Sequence, residues 1–175
     1  MSRPLHPLYF MTKPSPELAK LIWGWSRTDK TRPASLLHVT VLPLVDLAAF
    51  PIGFVDRLLD LMTDFEADSF RLVFDRVVER HNVLLCGSEP MRGARRFQAS
   101  LQQFLRARGF TFFGAAPTPH VTLRYGRDGC GGGPIEPISW QATELLLIES
   151  VVGQRRHIEH GRWQLRSDQR RRASN

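Results

Sequence analysis

Thr118-Pro119-His120-Val121-Thr122-Leu123-Arg124-Tyr125 decides the reading of this chain, because its central tripeptide returns in Leu36-Leu37-His38-Val39-Thr40-Val41-Leu42. Each copy lies in an apolar, β-branched run bounded by turn residues, the pattern of a buried strand. Side chains on a strand alternate between faces. His38 and Thr40 therefore share a face of their strand, as do His120, Thr122 and Arg124 of theirs. Val39, Val41, Val121 and Leu123 point the other way, into a core. Polar groups on a core-forming strand cost free energy unless they are hydrogen-bonded or used. With six His and nine Thr in 175 residues, chance supplies about 0.3 His-x-Thr tripeptides, so a matched pair on similar strands asks for one common cause.

Outward from these stretches, Leu8-Tyr9-Phe10-Met11 reads as a short strand. Ser15 is an N-cap, Pro16 a first helical residue and Glu17 a first-turn acid, and Leu18, Leu21, Ile22 and Trp25 follow at helical spacing. The polar loop Thr28 to Ser35 leads into the first His-Val-Thr strand, which Pro43 ends or pushes to a sheet edge. From Pro51 a second helix presents Ile52, Val55, Leu58, Leu59, Met62 and Phe65 on one side. Ser69 to Glu79 alternates as a half-buried strand, Arg80-His81-Asn82 turns, and Val83 to Cys86 is a buried strand. A third helix runs from Pro90 to about Arg108 with Gly109 as its stop, and the second His-Val-Thr strand follows. Two strand-helix-strand units, each ending on the same tripeptide, predict two lobes about an approximate two-fold axis. Gly126 to Pro137 reads as a flexible loop, and it lacks the pattern of a phosphate-cradling P-loop. Thr143 to Val152 and His157 to Leu165 form a closing hairpin around Gly153-Gln154. One domain is expected over residues 1–166, with 167–175 a flexible basic tail.

At 42% hydrophobic residues the chain is long enough for a real core. Its net charge of +7, carried almost wholly by Arg, suits anionic partners such as RNA without proving one. Cys86 and Cys130 make neither a disulfide framework nor a zinc site, so a reducing, cytoplasmic setting is the default. The apolar run at Leu8 to Met11 is far too short for a membrane span, and no membrane partner is expected. A monomer is expected. His157 and His160 fall on opposite faces of a strand, which argues against a metal site there, and His81, His157 and His160 are read as turn or surface residues.

Two facing imidazoles suit proton movement in opposite directions at one phosphorus. One neutral His takes a proton from the attacking oxygen, and the other, protonated, gives one to the departing oxygen. Such chemistry needs no metal and no other cofactor. Thr40 and Thr122 can bind the non-bridging oxygens, and Arg124 can neutralise developing charge. Tyr9 begins a strand beside the same site, where it could stack a base. No Gly-x-Ser-x-Gly elbow or cysteine nucleophile points to acyl transfer instead.

The paired tripeptides, with Leu8-Tyr9-Phe10 and the last hairpin Leu147-Ile148-Glu149-Ser150 to Trp163-Gln164-Leu165, resemble the 2H phosphoesterase superfamily, and within it the RNA 2′,3′-cyclic phosphodiesterases, or 2′-5′ RNA ligase-like (LigT-like) proteins. The resemblance covers most of the chain. It implies an α+β, bilobed fold, with two pseudo-symmetric lobes of antiparallel sheet plus helices around a central cleft. It implies His38 and His120 as the acid-base pair and Thr40 and Thr122 as phosphate holders, with His120 as base toward water and His38 as acid toward the leaving 3′ oxygen. The implied reaction is metal-independent hydrolysis of RNA or nucleotide 2′,3′-cyclic phosphates to 2′-phosphates, so RNA ends or small cyclic nucleotides are the expected partners. Alternatives are another nucleotide substrate (an ADP-ribose cyclic phosphate or a 2′-5′ oligonucleotide), reversible 2′-5′ ligation, or an RNA-binding module without turnover. The chain departs from many relatives in having Tyr125 where they have Arg, with Arg124 one place earlier. It also has His157 where a Tyr is usual, and Leu42-Pro43-Leu44 after the first motif.

Overall fold

The computed structural model describes residues 5–167, so the tail beyond Ser167 lies outside the described residues. Eight strands and three α-helices alternate along the chain: β1 Pro7–Thr12, α1 Pro16–Gly24, β2 Val39–Asp46, α2 Phe54–Leu61, β3 Phe70–Glu79, β4 Asn82–Cys86, α3 Arg92–Ala107, β5 His120–Tyr125, β6 Gly133–Ala142, β7 Glu144–Val151 and β8 Arg156–Gln164. The strands form one antiparallel sheet in the order β6-β3-β4-β5-β2-β1-β7-β8. Exchanging β1 with β4, β2 with β5, β7 with β3 and β8 with β6 returns the same order read from the other end. The two-fold pattern expected from the tripeptides is therefore written into the whole sheet. Its two four-stranded halves meet at a single residue pair, Val39 opposite Val121.

The helices form where the sequence caps and patterns them. Ser15 Oγ accepts from Leu18 N at 3.3 Å and Pro16 opens α1, which buries Ala19 and Ile22. The sixteen residues of α3 bury Ala94, Phe97, Leu101 and Leu105 at helical spacing. Both helices share one core with Leu8, Phe10, Val39, Val41, Val83, Leu85, Val121 and Leu123. The helices thus cover the face to which the two central valines point, and the His and Thr side chains are left on the other.

Four local expectations change. The second helix begins at Phe54 and buries Phe54 and Leu58, with Met62 buried just past its end, whereas Ile52 precedes it and is fully exposed. Pro43 does not end its strand: β2 continues to Asp46, because its pairing with β5 stops at Val39 and no ladder hydrogen bond is lost at the proline. The glycine-rich segment is neither all loop nor slack. Its second half is β6, an edge strand, which is why Pro134 and Pro137 are tolerated. Its first half wraps the buried Glu79 carboxylate, which accepts from Gly129 N at 3.0 Å and Gly131 N at 2.7 Å. Gly129 and Gly131 take φ of 77° and 69°, in the left-handed region that glycine enters most easily. His157 and His160, finally, are half-buried β8 residues, and His160 has a hydrogen-bond partner. His160 Nε2 lies 2.8 Å from Glu149 Oε2, and His6 Nδ1 lies 2.5 Å from Glu149 Oε1. No helix of the described residues is long and apolar enough to cross a membrane.

Candidate active site

The Val39–Val121 pair sets the geometry of the two tripeptides. Continued one step either way, the antiparallel register stands His38 beside Thr122 and Thr40 beside His120. All four are half-buried, while Val39, Val41, Val121 and Leu123 are almost wholly removed from solvent. The strands bring these four expected residues together on one face.

Each imidazole is anchored in the same way. His38 Nδ1 lies 2.7 Å from the Leu36 carbonyl oxygen, and His120 Nδ1 lies 2.8 Å from that of Thr118. A carbonyl can only accept, so Nδ1 carries the proton on both rings, and Nε2 is the nitrogen left to exchange one. The backbone two residues upstream thus fixes both tautomers with a repeated local bond.

The surroundings are cationic. Burial pushes the His38 pKa down to about 4 against the pull of the Leu36 carbonyl, and Arg32, Lys13 and His120 add like-charge repulsion. His38 is therefore neutral at pH 7. Its ring meets that of His157 edge-on, with centroids 5.3 Å apart and planes at 68°. Burial, followed by the neighbouring His38, Lys13 and Arg32, pushes His157 down to about 3. Among the described residues the buried Nδ1 of His157 has no hydrogen-bond partner, and neither has the Nε of Arg124. Lys13 donates to the Ser35 carbonyl at 2.9 Å, which holds it near the first tripeptide. Arg32 stacks on Tyr125 at 4.6 Å.

Met11 is paired with Thr40 across the β1–β2 ladder. It forms a small apolar cluster with Leu146 and Ile148, against which Tyr9 packs, separate from the main core. Tyr9 is half-buried there, and burial, with smaller contributions from Tyr125 and Asp46, raises its phenol pKa. On the other side Cys86 is the cross-strand partner of His120. Burial raises its thiol pKa, which keeps it protonated and unsuited to attack.

His157, Lys13, Arg32 and Cys86 were missed from the sequence as members of this face. For Lys13 a signal existed, since it continues the alternation Tyr9, Met11, Lys13. For His157 the signal was the family resemblance, which has a Tyr at that position, while its neighbour His38 is set by the register of β8 and by which half of the sheet it joins. Among the described residues, no group of three or more His, Cys, Asp or Glu is placed to hold a metal ion.

No family model matches the sequence, and no curated protein is similar to it in sequence. Solved structures are similar in fold over nearly the whole chain. The crystal structure of E. coli LigT complexed with 3′-AMP superposes with a TM-score of 0.73 at 22% identity, covering 93% of this chain and 99% of that one. A crystal structure described as a phosphoesterase gives 0.69 at 24% identity over 91% and 98% of the two chains. TT0787 of Thermus thermophilus gives 0.68 at 16% identity over 93% and 99%.

Proposed function

From a chain that shares the LigT fold, we propose a phosphodiesterase that opens 2′,3′-cyclic phosphates at RNA ends or on nucleotides to 2′-phosphates. The observation that carries this reading is the pair of imidazoles, each with Nδ1 tied to a carbonyl and Nε2 free, each beside the hydroxyl of the other tripeptide. A phosphorus placed between the two Nε2 atoms has a base on one side and an acid on the other. In the step proposed, water attacks phosphorus and loses a proton to one imidazole. The bond from phosphorus to the 3′ oxygen breaks, and the other imidazole protonates that oxygen. Thr40 and Thr122 donate to the non-bridging oxygens. Arg124 Nε, Lys13 and Arg32 offset the negative charge. The 3′-AMP held by LigT supports a nucleotide as the class of ligand.

Neutral His38 in the ligand-free protein suits the base, and His120 then serves as acid, the reverse of the order that the family resemblance implies. The profile of kcat/KM against pH reports the free enzyme. Its acid limb should lie well below the usual imidazole range, and an acid limb within that range would remove His38 from the base role. Turnover of a 2′,3′-cyclic nucleotide tests the whole reading. His38→Ala or His120→Ala should lower kcat by roughly 10²- to 10⁴-fold. Full activity in either variant would falsify it.

A further inference from the structure

Away from the tripeptides, Phe50, Pro51, Phe54, Leu61, Phe110 and Phe112 line an open cavity of about 410 Å³, with Arg57 and Arg108 among its walls. No carboxylate lines it, and neither arginine forms an ion pair among the described residues. Phe112 is half exposed and meets Phe50 edge-on at 5.4 Å, so an aromatic face is open to solvent where a soluble chain would ordinarily hide it. The charge is one-sided along α3 and the segment after it, whereas α2 carries Asp56 and Asp60 on either side of Arg57 in the sequence. From Met91 to Arg127 the sequence holds seven arginines and neither Asp nor Glu. Arg92, Arg95, Arg96, Arg106 and Arg108 are exposed along α3 and its end. Arg108 lies over the ring of Phe104 at 3.7 Å and Arg106 over that of Phe113 at 5.2 Å, rings outside the cavity lining.

We propose that this cavity is a base-stacking site for single-stranded RNA, with Phe112 and Phe50 receiving a base and Arg57 and Arg108 the flanking phosphates. Open aromatic rings joined to a groove of uncompensated arginines are what sequence-tolerant binding of a single strand requires, because every base has a π-face and every nucleotide a charge. A neutral apolar ligand would leave the charge of Arg57 and Arg108 unmatched in the wall, and an acidic peptide would leave the aromatic faces unexplained. Along the chain the site adjoins both tripeptides: Phe110 and Phe112 lie in the segment that runs into His120, and β2 runs from Thr40 toward Phe50. A strand held here belongs to a polynucleotide rather than a mononucleotide substrate; the choice of RNA rests on the phosphodiesterase reading, the stacking site does not.

The test measures anisotropy of a fluorescently labelled single-stranded oligoribonucleotide on the full chain, beside turnover of a mononucleotide 2′,3′-cyclic phosphate. Phe112→Ala should weaken the oligonucleotide by about 5- to 100-fold, with mononucleotide turnover unchanged and affinity restored by Phe112→Trp. Arg57→Gln with Arg108→Gln should lower the slope of log affinity against log salt by about 1.4, at roughly 0.7 for each phosphate contact on a single strand. Wild-type affinity in Phe112→Ala overturns the site. So does a loss that Phe112→Trp fails to restore, or binding to anionic phospholipid vesicles that Phe112→Ala abolishes while RNA affinity stays. If the wild-type chain turns over no cyclic phosphate, the function proposed above fails, and the anisotropy series still decides this site.

Discussion

At the residue scale, two half-buried imidazoles held neutral have a thermodynamic consequence. His38 is pushed to about 4 and His157 to about 3 in the folded chain, against 6.5 when unfolded. The unfolded chain therefore binds protons first as pH falls, so their contribution to stability is complete above about pH 6.5 and is lost on descending toward 4. Unfolding between these values takes up at most two protons from the pair, a slope of no more than about 2.7 kcal/mol per pH unit, reduced by whatever water reaches them. Urea denaturation at pH 7, 6 and 5 should show the fall, and His157→Asn should flatten it; equal slopes for the two chains would remove His157 from the account. The threonines offer a complementary test, since Thr→Val keeps the shape of a β-former and deletes only the hydroxyl. Thr40→Val or Thr122→Val should reduce kcat/KM by roughly 10- to 100-fold, the cost of a hydrogen bond to a charged group, with stability changed by less than about 1 kcal/mol. A large stability loss with intact kcat/KM would make the hydroxyls structural.

At the scale of elements, α3 shows how directly pattern becomes packing. Leu101 has no exposed surface and belongs to the core that joins the helix to both central strands. Leu101→Ala should cost about 2–5 kcal/mol, from lost transfer free energy and the cavity left behind, measured by urea or thermal denaturation. A loss below about 1 kcal/mol would mean that the helix packs loosely. Elements with such strong periodicity were legible in the sequence: α1, α3, the strand-helix-strand units and the closing hairpin lie where caps, stops and alternation placed them. What escaped was decided by partners distant along the chain. β6 looks like loop because Pro134 and Pro137 count against a strand unless it lies at an edge, and edge position is a property of the sheet. Ile52 fits a helical stripe that begins only two residues later, at Phe54. The four motif residues share a face for a reason legible in alternation, but the Val39–Val121 register that sets His38 beside Thr122 follows from the meeting of the two halves.

At the scale of the molecule, one residue pair is a slender join for two half-sheets, and the surrounding polar contacts must supply much of the rest. Gln98 of α3 donates to the carbonyl oxygens of Val41 at 3.1 Å and Pro117 at 2.8 Å, which ties the second unit's helix to the first unit's strand. Asp29 N donates to the Leu123 carbonyl at 2.9 Å. Arg27, just beyond α1, grips both oxygens of Asp128 at 2.9 and 2.8 Å and reaches Glu79 of β3 at 3.4 Å. The bidentate bond holds the Asp128 carboxyl well below the usual carboxylate range. Glu79 also accepts from Arg127 and from two glycine N–H groups. Removing this buried acceptor leaves several donors unpaired, which costs more than any one of its bonds contributes. Glu79→Ala should therefore destabilise the chain in urea denaturation, and Glu79→Gln, which keeps an acceptor oxygen, should do so clearly less. Because Arg27 and Glu79 belong to opposite halves, a double-mutant cycle between Arg27→Ala and Glu79→Ala measures the clamp itself. A coupling of about 1 kcal/mol or more is expected; additive losses would show that the halves hold together without it, and that the Val39–Val121 register is maintained by the core alone.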